Sequence, residues 1–311
     1  MHPENPDRGE SSGARRPCGL VVDSGASMRS TGDNFLAIVD LPVRIGGWSL
    51  PPNPDDHAIA DFYSRLRRGE EPITSTPSPG AYLEAFRSLH CDRILCLTIP
   101  ARWSAMDATA RLAARMLAEE EGTERVVVME TGTAAAGLGL VARVAALHCR
   151  AGADLEEVRA RAERACDQVR MFGALSTLVH VARGGRIPAL LAGISDTLHL
   201  RPIFRLNRGE AGRVALARSD AGVLRALLGT LDELQASTPL AVLAFHADAS
   251  ALADRLAENL GEDERVVHCE VVGLAPVIGC HIGPGAVGLA ALPLEADESS
   301  ASTMMQAIAG R

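Results

Sequence analysis

Short apolar runs closed by polar turns alternate with longer segments of helical periodicity along most of this chain. The run Gly19-Leu20-Val21-Val22 ends in Asp23-Ser24 and predicts a buried strand. A second strand is expected over Ala37–Ile45, an amphipathic helix over Ala58–Leu66, and a buried strand over Arg93–Ile99 that stops at Pro100. A helix from about Ala105 to Glu120 and the strand Arg125–Met129 follow. Two helical segments come next, about Thr133–Arg150 and Leu155–Val169, split at Gly152. Strands alternating with helices imply a parallel sheet covered on both faces. In such sheets ligands bind beyond the carboxyl ends of the strands.

The second half has a different rhythm. Arg183-Gly184-Gly185-Arg186-Ile187-Pro188 reads as a turn, followed by a helix ending near Leu200. Strands over Pro202–Leu206 and Arg213–Ala217 flank a turn at Asn207–Gly212 as a hairpin. A helix over Ala221–Leu234, a strand over Leu240–His246, a helix over Ser250–Leu260 and a strand over Arg265–Val272 come next. The loop Val277–Gly285 leads into a last strand, Ala286–Leu292. The reading is an α/β chain of two domains, 17–170 with a mostly parallel sheet and helices on both faces, and 171–295 with a mixed sheet. Residues 1–16, polar and rich in Pro, Gly and Ser, read as a disordered tail, and 296–311 as a second tail.

One stretch gathers hydroxyls: Ile73-Thr74-Ser75-Thr76-Pro77-Ser78-Pro79-Gly80. Ser78 before Pro79 signals a helix start, since the serine oxygen accepts a first-turn amide and proline has no amide to leave unpaired. A helix N-terminus with neighbouring hydroxyls suits a small anion. Ser104 opens the next helix, with Asp107 at capping-box spacing. Placed at comparable strand-to-helix turns of one sheet, Thr74, Ser75 and Ser104 can converge on one point. His281 stands among Gly279, Gly283, Pro284 and Gly285, where backbone can approach a ligand closely. An imidazole beside an anion donates a hydrogen bond or carries charge.

Composition narrows the chemistry. The 311 residues are 47% hydrophobic and 23% charged, as in an ordinary globular protein, and a formal charge of -8 argues against a general nucleic-acid surface. All 31 basic residues are arginine, which excludes a Schiff-base lysine and a Walker-type phosphate lysine. The seven cysteines are odd in number, form no CxxC pair and show no zinc spacing, so they read as reduced residues of a cytoplasmic protein. No signal peptide or bilayer-length apolar run is present. Neither a G-x-S-x-G elbow nor HExxH occurs, and no catalytic residue or metal site is assigned. Asp23, at a strand end, can orient hydroxyls or act as a base. Arg183, Arg186, Arg201 and Arg218 cluster in sequence and suit a phosphate- or partner-contacting patch.

These residues carry a resemblance. Asp23-Ser24, Thr74-Ser75-Thr76-Pro77-Ser78, Ser104, Gly184-Gly185-Arg186-Ile187, Arg201-Pro202-Ile203 and Gly279-Cys280-His281-Ile282-Gly283-Pro284-Gly285 follow one another as in the DegV family. The likeness runs from about Leu20 to Leu292, and the better-understood members are the fatty-acid-binding subunits (FakB) of bacterial fatty-acid kinase. It implies two α/β domains with a long-chain fatty acid held between them and presented to a separate ATP-dependent kinase. The subunit itself would then be no enzyme and carry no cofactor. The carboxylate contacts it implies transfer to Thr74, Ser104 and His281; Ser75 and Gly283 beside them are further ligand candidates, and Met106, where the pattern departs, is a candidate contact to the acyl chain. Arg183, Arg186 and Arg218 would engage the kinase. Thr76 stands where the family usually has Gln, Ser104-Ala105-Met106 where it has Ser-Gly-Thr, and Pro100-Ala101 where it has Ser-Ser. The alternatives are an acyl- or phosphoryl-transfer enzyme using Ser104 or His281 directly, and a binding protein for another amphiphile.

Overall fold

The computed structural model describes residues 15–29, 32–185, 200–234 and 238–294. Strand β1 (Arg16–Asp23), whose last six residues are all buried, runs into a 3-10 turn at Ser24–Ala26. Then come β2 (Leu36–Val39), β3 (Val43–Ile45), β4 (Trp48–Ser49), α1 (Asp56–Arg67) and β5 (Pro72–Thr74). The helix α2 (Pro79–Ser88), β6 (Cys91–Thr98), α3 (Met106–Glu121) and β7 (Val126–Glu130) follow, then α4 (Ala135–Ala151) and α5 (Leu155–Gln168). The remainder is β8 (Arg170–Ala174), α6 (Val179–Gly184), β9 (Arg201–Asn207), β10 (Glu210–Ala217) and α7 (Asp220–Leu228). Last are β11 (Leu240–Ala247), α8 (Ser250–Leu260), β12 (Val266–Gly273), α9 (Pro276–Ile282) and β13 (Ala286–Pro293).

The first sheet is four-stranded, ordered β2-β1-β6-β7, and every pairing in it is parallel. Alternation along β1 divides its side chains between two cores. Val21 joins Tyr82 and Phe86 of α2 and Ala110 and Leu117 of α3, while Leu20 and Val22 face Leu138 and Val141 of α4. The second sheet has six strands, β10-β9-β8-β13-β11-β12, and only β11–β12 is parallel. One face buries Phe172, Val242 and Leu289 under α7 and α8, and the other turns Met171, Leu243 and Ala290 toward α4.

Helix α4 therefore lies between both sheets, and most of its residues are buried. At Gly139 it passes so close to the 3-10 turn that an added Cβ would stand 2.7 Å from the Ala26 carbonyl oxygen. A side chain there would push the helix off β1.

Five expectations change. Arg183-Gly184, read as the start of a turn, closes helix α6. The run Ala37–Ile45 is two strands in different sheets, because Pro42 cannot donate to a ladder and the chain turns there. Beyond it, β3 pairs antiparallel with β4 and β5 in a three-stranded sheet. The hairpin is tighter than the pattern suggests. Ala211 and Gly212 pair with Leu206 and Arg205, leaving Arg208-Gly209 as a two-residue turn, both at positive φ. The helix expected over Ala221–Leu234 ends at Leu228 and continues as a 3-10 turn over Gly229–Glu233. Val277–Ile282, read as loop, is helical within α9, started by Pro276. The two tails and the helix expected to end near Leu200 lie mostly or wholly outside the described residues.

Candidate functional site

Thr74 ends β5, where it pairs with Val43 across the small sheet, and the next amide, Ser75 N, donates to the Pro42 carbonyl at 3.1 Å. Ser78 then caps α2 as expected, its Oγ accepting from Ala81 N at 3.2 Å. From the other end of the chain α9 brings His281 to the same place. Thr74 Oγ1 and His281 Nε2 stand 3.4 Å apart, within hydrogen-bond reach and 207 residues apart in sequence. Both side chains are half-buried, so a ligand can reach them.

Three glycines make that approach possible. Gly279 lets Tyr63 of α1 lie against α9, since a Cβ there would meet the phenolic oxygen at 2.6 Å. Gly283 caps α9 with φ +77, a conformation that disfavours any side chain, and its would-be Cβ would lie 2.2 Å from Cδ2 of His180. Gly184 of α6 faces His281 in turn, its would-be Cβ 3.3 Å from Nδ1. Ser176 Oγ donates to the Pro284 carbonyl and ties the following loop to the same segment. The site is thus a seam between α6 and α9 with Thr74 at its edge. Burial, and then the neighbouring Arg183 guanidinium, hold the His180 imidazole below its ordinary pKa.

The other expected residues fall as follows. Ser75 is exposed. Ser104 is half-buried between β6 and α3, and it does not cap that helix: Ala105 is the N-cap residue, without a side-chain bond. Asp107 forks instead onto Arg111, at 2.8 and 3.0 Å, so the capping box is absent. Thr74 and Ser104 follow strands of different sheets, not one, because β5 belongs to the small antiparallel sheet. Met106 is fully buried at the start of α3 and is a core residue as it stands. Arg183 is exposed on α6 and faces Glu71 at 3.6 Å. Arg201 pairs with Asp220, Arg218 is exposed after β10, and Arg186 lies outside the described residues.

A buried carboxyl and a buried ion pair complete the picture. Asp23 is fully buried at the carboxyl end of β1; Oδ1 accepts from Gly25 N at 2.7 Å while Oδ2 has no hydrogen-bond partner. Burial raises its carboxyl to about 7, against the pull of the Gly25 amide. Arg143 of α4 forks onto Glu270 of β12 at 2.6 and 3.2 Å. Burial works to raise Glu270, and His268 and Arg143 outweigh it, holding the carboxyl at about 2. His268 Nε2 stands 3.8 Å from Glu270, beyond hydrogen-bond range, so the arginine fork supplies the direct bonds.

A cavity of about 840 Å3 borders this region, between the β2–β3 segment, α1, the start of α9 and the ends of β11 and β12. None of the expected ligand residues lines it. Its charged lining is Asp40, Asp56, Asp248 and Glu270 against Arg29 and Arg143, a surplus of negative charge that disfavours an anionic ligand. Among the described residues no helix is long and apolar enough to cross a membrane, and no group of three or more His, Cys, Asp or Glu could hold a metal ion. All seven cysteines are free, and five are buried.

Comparison with known proteins follows the same lines. A Thermotoga maritima protein named as a fatty acid-binding protein is 28% identical over 290 residues, covering 89% of this chain and 98% of its own. The solved structure of a fatty-acid-binding DegV family protein from Thermus thermophilus superposes with a TM-score of 0.79 at 25% identity, over 89% of this chain and all of that one. A lipid-binding DegV protein from Thermotoga maritima gives 0.78 at 27% identity, over 89% and 99%. The family model described as an uncharacterised protein of the DegV family matches residues 17–294. With that match spanning both sheets and the Thr74–His281 seam, the chain belongs to the DegV family.

Proposed function

We propose that this protein binds a long-chain fatty acid and meets its carboxylate with Thr74 and His281. The observation that carries the reading is the 3.4 Å approach of these two donors at a reachable seam. Relatives described as fatty-acid-binding support it. Behind the seam lie Leu175, Leu178, Val181, Cys280 and Ile282, members of the apolar cluster that α4 shares with both sheets. An acyl chain entering there gains about 0.8 kcal/mol per buried methylene, roughly 10 kcal/mol for a sixteen-carbon tail before the costs of association. Burying an unpaired carboxylate would cancel much of that. Charge-assisted bonds from a hydroxyl and an imidazole make the burial tolerable. Ser104, with its Oγ on a half-buried turn, is a further candidate contact.

The test compares two probes of equal length, palmitate and hexadecanol, on the full chain. His281→Ala and Thr74→Val are each expected to weaken palmitate binding about tenfold or more, the loss of one charge-assisted bond, and to change hexadecanol binding little. Equal losses for both probes would contradict a carboxylate site.

We further propose that the bound carboxyl group is presented to an ATP-requiring kinase engaged by Arg183, Arg186 and Arg218. Support comes from Arg183 standing exposed on the helix that packs against His281, with Val179 an exposed apolar residue one turn earlier on that helix. Arg183→Ala should leave palmitate binding unchanged and impair phosphorylation of the bound lipid by the cognate kinase. Lost palmitate binding in that variant would contradict the division of labour.

A further inference from the structure

We propose that His180 is a second ligand-binding residue at this seam, so that two imidazoles hold the two oxygens of one carboxylate. The inference rests on the carboxylate reading of Thr74 and His281. Its own basis is the reciprocal packing of α6 and α9. The ring of His180 lies over Gly283, whose would-be Cβ would stand 2.2 Å from Cδ2 and 2.9 Å from Nε2. The ring of His281 lies by Gly184, 3.3 Å from that residue's would-be Cβ. Each helix therefore offers a glycine to the other helix's histidine, and both rings occupy one contact line.

The spacing follows from the helix. His180 and Gly184 are four residues apart, so they share a face of α6 and their Cβ positions stand about 5–6 Å apart. The His281 ring is seated at one end of this face, and the His180 ring is rooted at the other and lies over Gly283. A carboxylate between them accepts one hydrogen bond of about 2.8–2.9 Å from each ring. A hydroxyl head group carries no charge, so it gains less from two N–H donors than a carboxylate does. Two rings in this arrangement favour a carboxylate over an alcohol of the same length.

Electrostatics is compatible with this use. A partly buried imidazole beside Arg183 stays neutral near pH 7, keeps one N–H to donate, and brings no unpaired charge into the seam.

The experiment measures palmitate and hexadecanol binding by the full chain carrying His180→Phe, which keeps a ring over Gly283 and removes both nitrogens. His180→Gln, which restores a donor, and His180→Ala, which cannot overfill the seam, are measured beside it. The expected result is about a tenfold loss of palmitate affinity in the Phe and Ala variants, hexadecanol within twofold, and recovery of most of the loss in the Gln variant. Unchanged palmitate affinity, or equal losses for both probes, would overturn the role and leave His180 as packing for Gly283. Wild-type protein that binds neither probe overturns this inference together with the carboxylate reading. Wild-type binding with indifferent His180 variants overturns this inference alone.

Discussion

Arg143→Met is expected to lower folding stability by about 3–5 kcal/mol, the cost of leaving one member of a buried ion pair without its partner. The side chains of Arg143 and Glu270 are 4% and 16% exposed, so the pair lies largely out of solvent. The bidentate fork also joins the central helix α4 to strand β12, at the border of the large cavity. With the arginine gone, the Glu270 carboxylate keeps only the more distant His268 nearby. The companion Arg143→Met, Glu270→Met double variant should recover most of the loss, since an apolar pair of similar volume leaves no charge behind. Urea unfolding at pH 7 measures both. A single variant within about 0.5 kcal/mol of wild type would contradict this account of the pair.

Asp23→Asn should stabilise the protein above pH 7 and flatten its stability profile between about pH 4 and 7. A carboxyl in the unfolded chain titrates near ~3.9, whereas in the native state Asp23 titrates at about 7. Between those values the folded protein holds a proton that the unfolded chain releases. The contribution is therefore complete below about pH 4, falls as pH rises, and is gone above about 7. Three pKa units correspond to about 4 kcal/mol, an upper value for the gain in the variant. Asparagine keeps the Oδ1 acceptor for the Gly25 amide and puts a neutral amide nitrogen where the unpartnered, charged Oδ2 stood. Glu270 works in a separate window: its depressed carboxyl adds stability above about 4.5 that is lost as pH falls toward about 2. Unfolding curves from pH 5 to 9 isolate the Asp23 effect. The same slope in wild type and variant would remove Asp23 as its source.

Much of the architecture was legible because the patterns are strong. The runs at β1, β6, β11 and β13 are buried on both faces, and α5 carries polar residues on one side only. The break at Pro42 was visible as a residue, yet the apolar alternation on either side of it hid the change of sheet. Helix α9 was misread because Gly279 and the Gly283-Pro284-Gly285 run look like loop, while Pro276 supplies the helix start.

At the site, Thr74 and His281 stood out singly, but no local pattern encodes a contact across 207 residues; only the order of family motifs pointed to it. His180 carries no local signal, because no catalytic spacing surrounds it and the glycine it packs on, Gly283, is far along the chain. Arg143 had a usable signal: it is the one charged residue in the apolar run Ala134–Leu147, the mark of a buried charge that must find a partner. Ser104 had the reverse fault, since a plausible capping spacing with Asp107 was pre-empted by the Asp107–Arg111 fork.

A fatty acid lodged behind a hydroxyl–imidazole gate is directly visible by mass. Native mass spectrometry of the intact chain purified from cells should show one acyl chain bound per molecule, displaced stoichiometrically by added palmitate. A chain that is always empty and takes up none of the added palmitate would contradict the account.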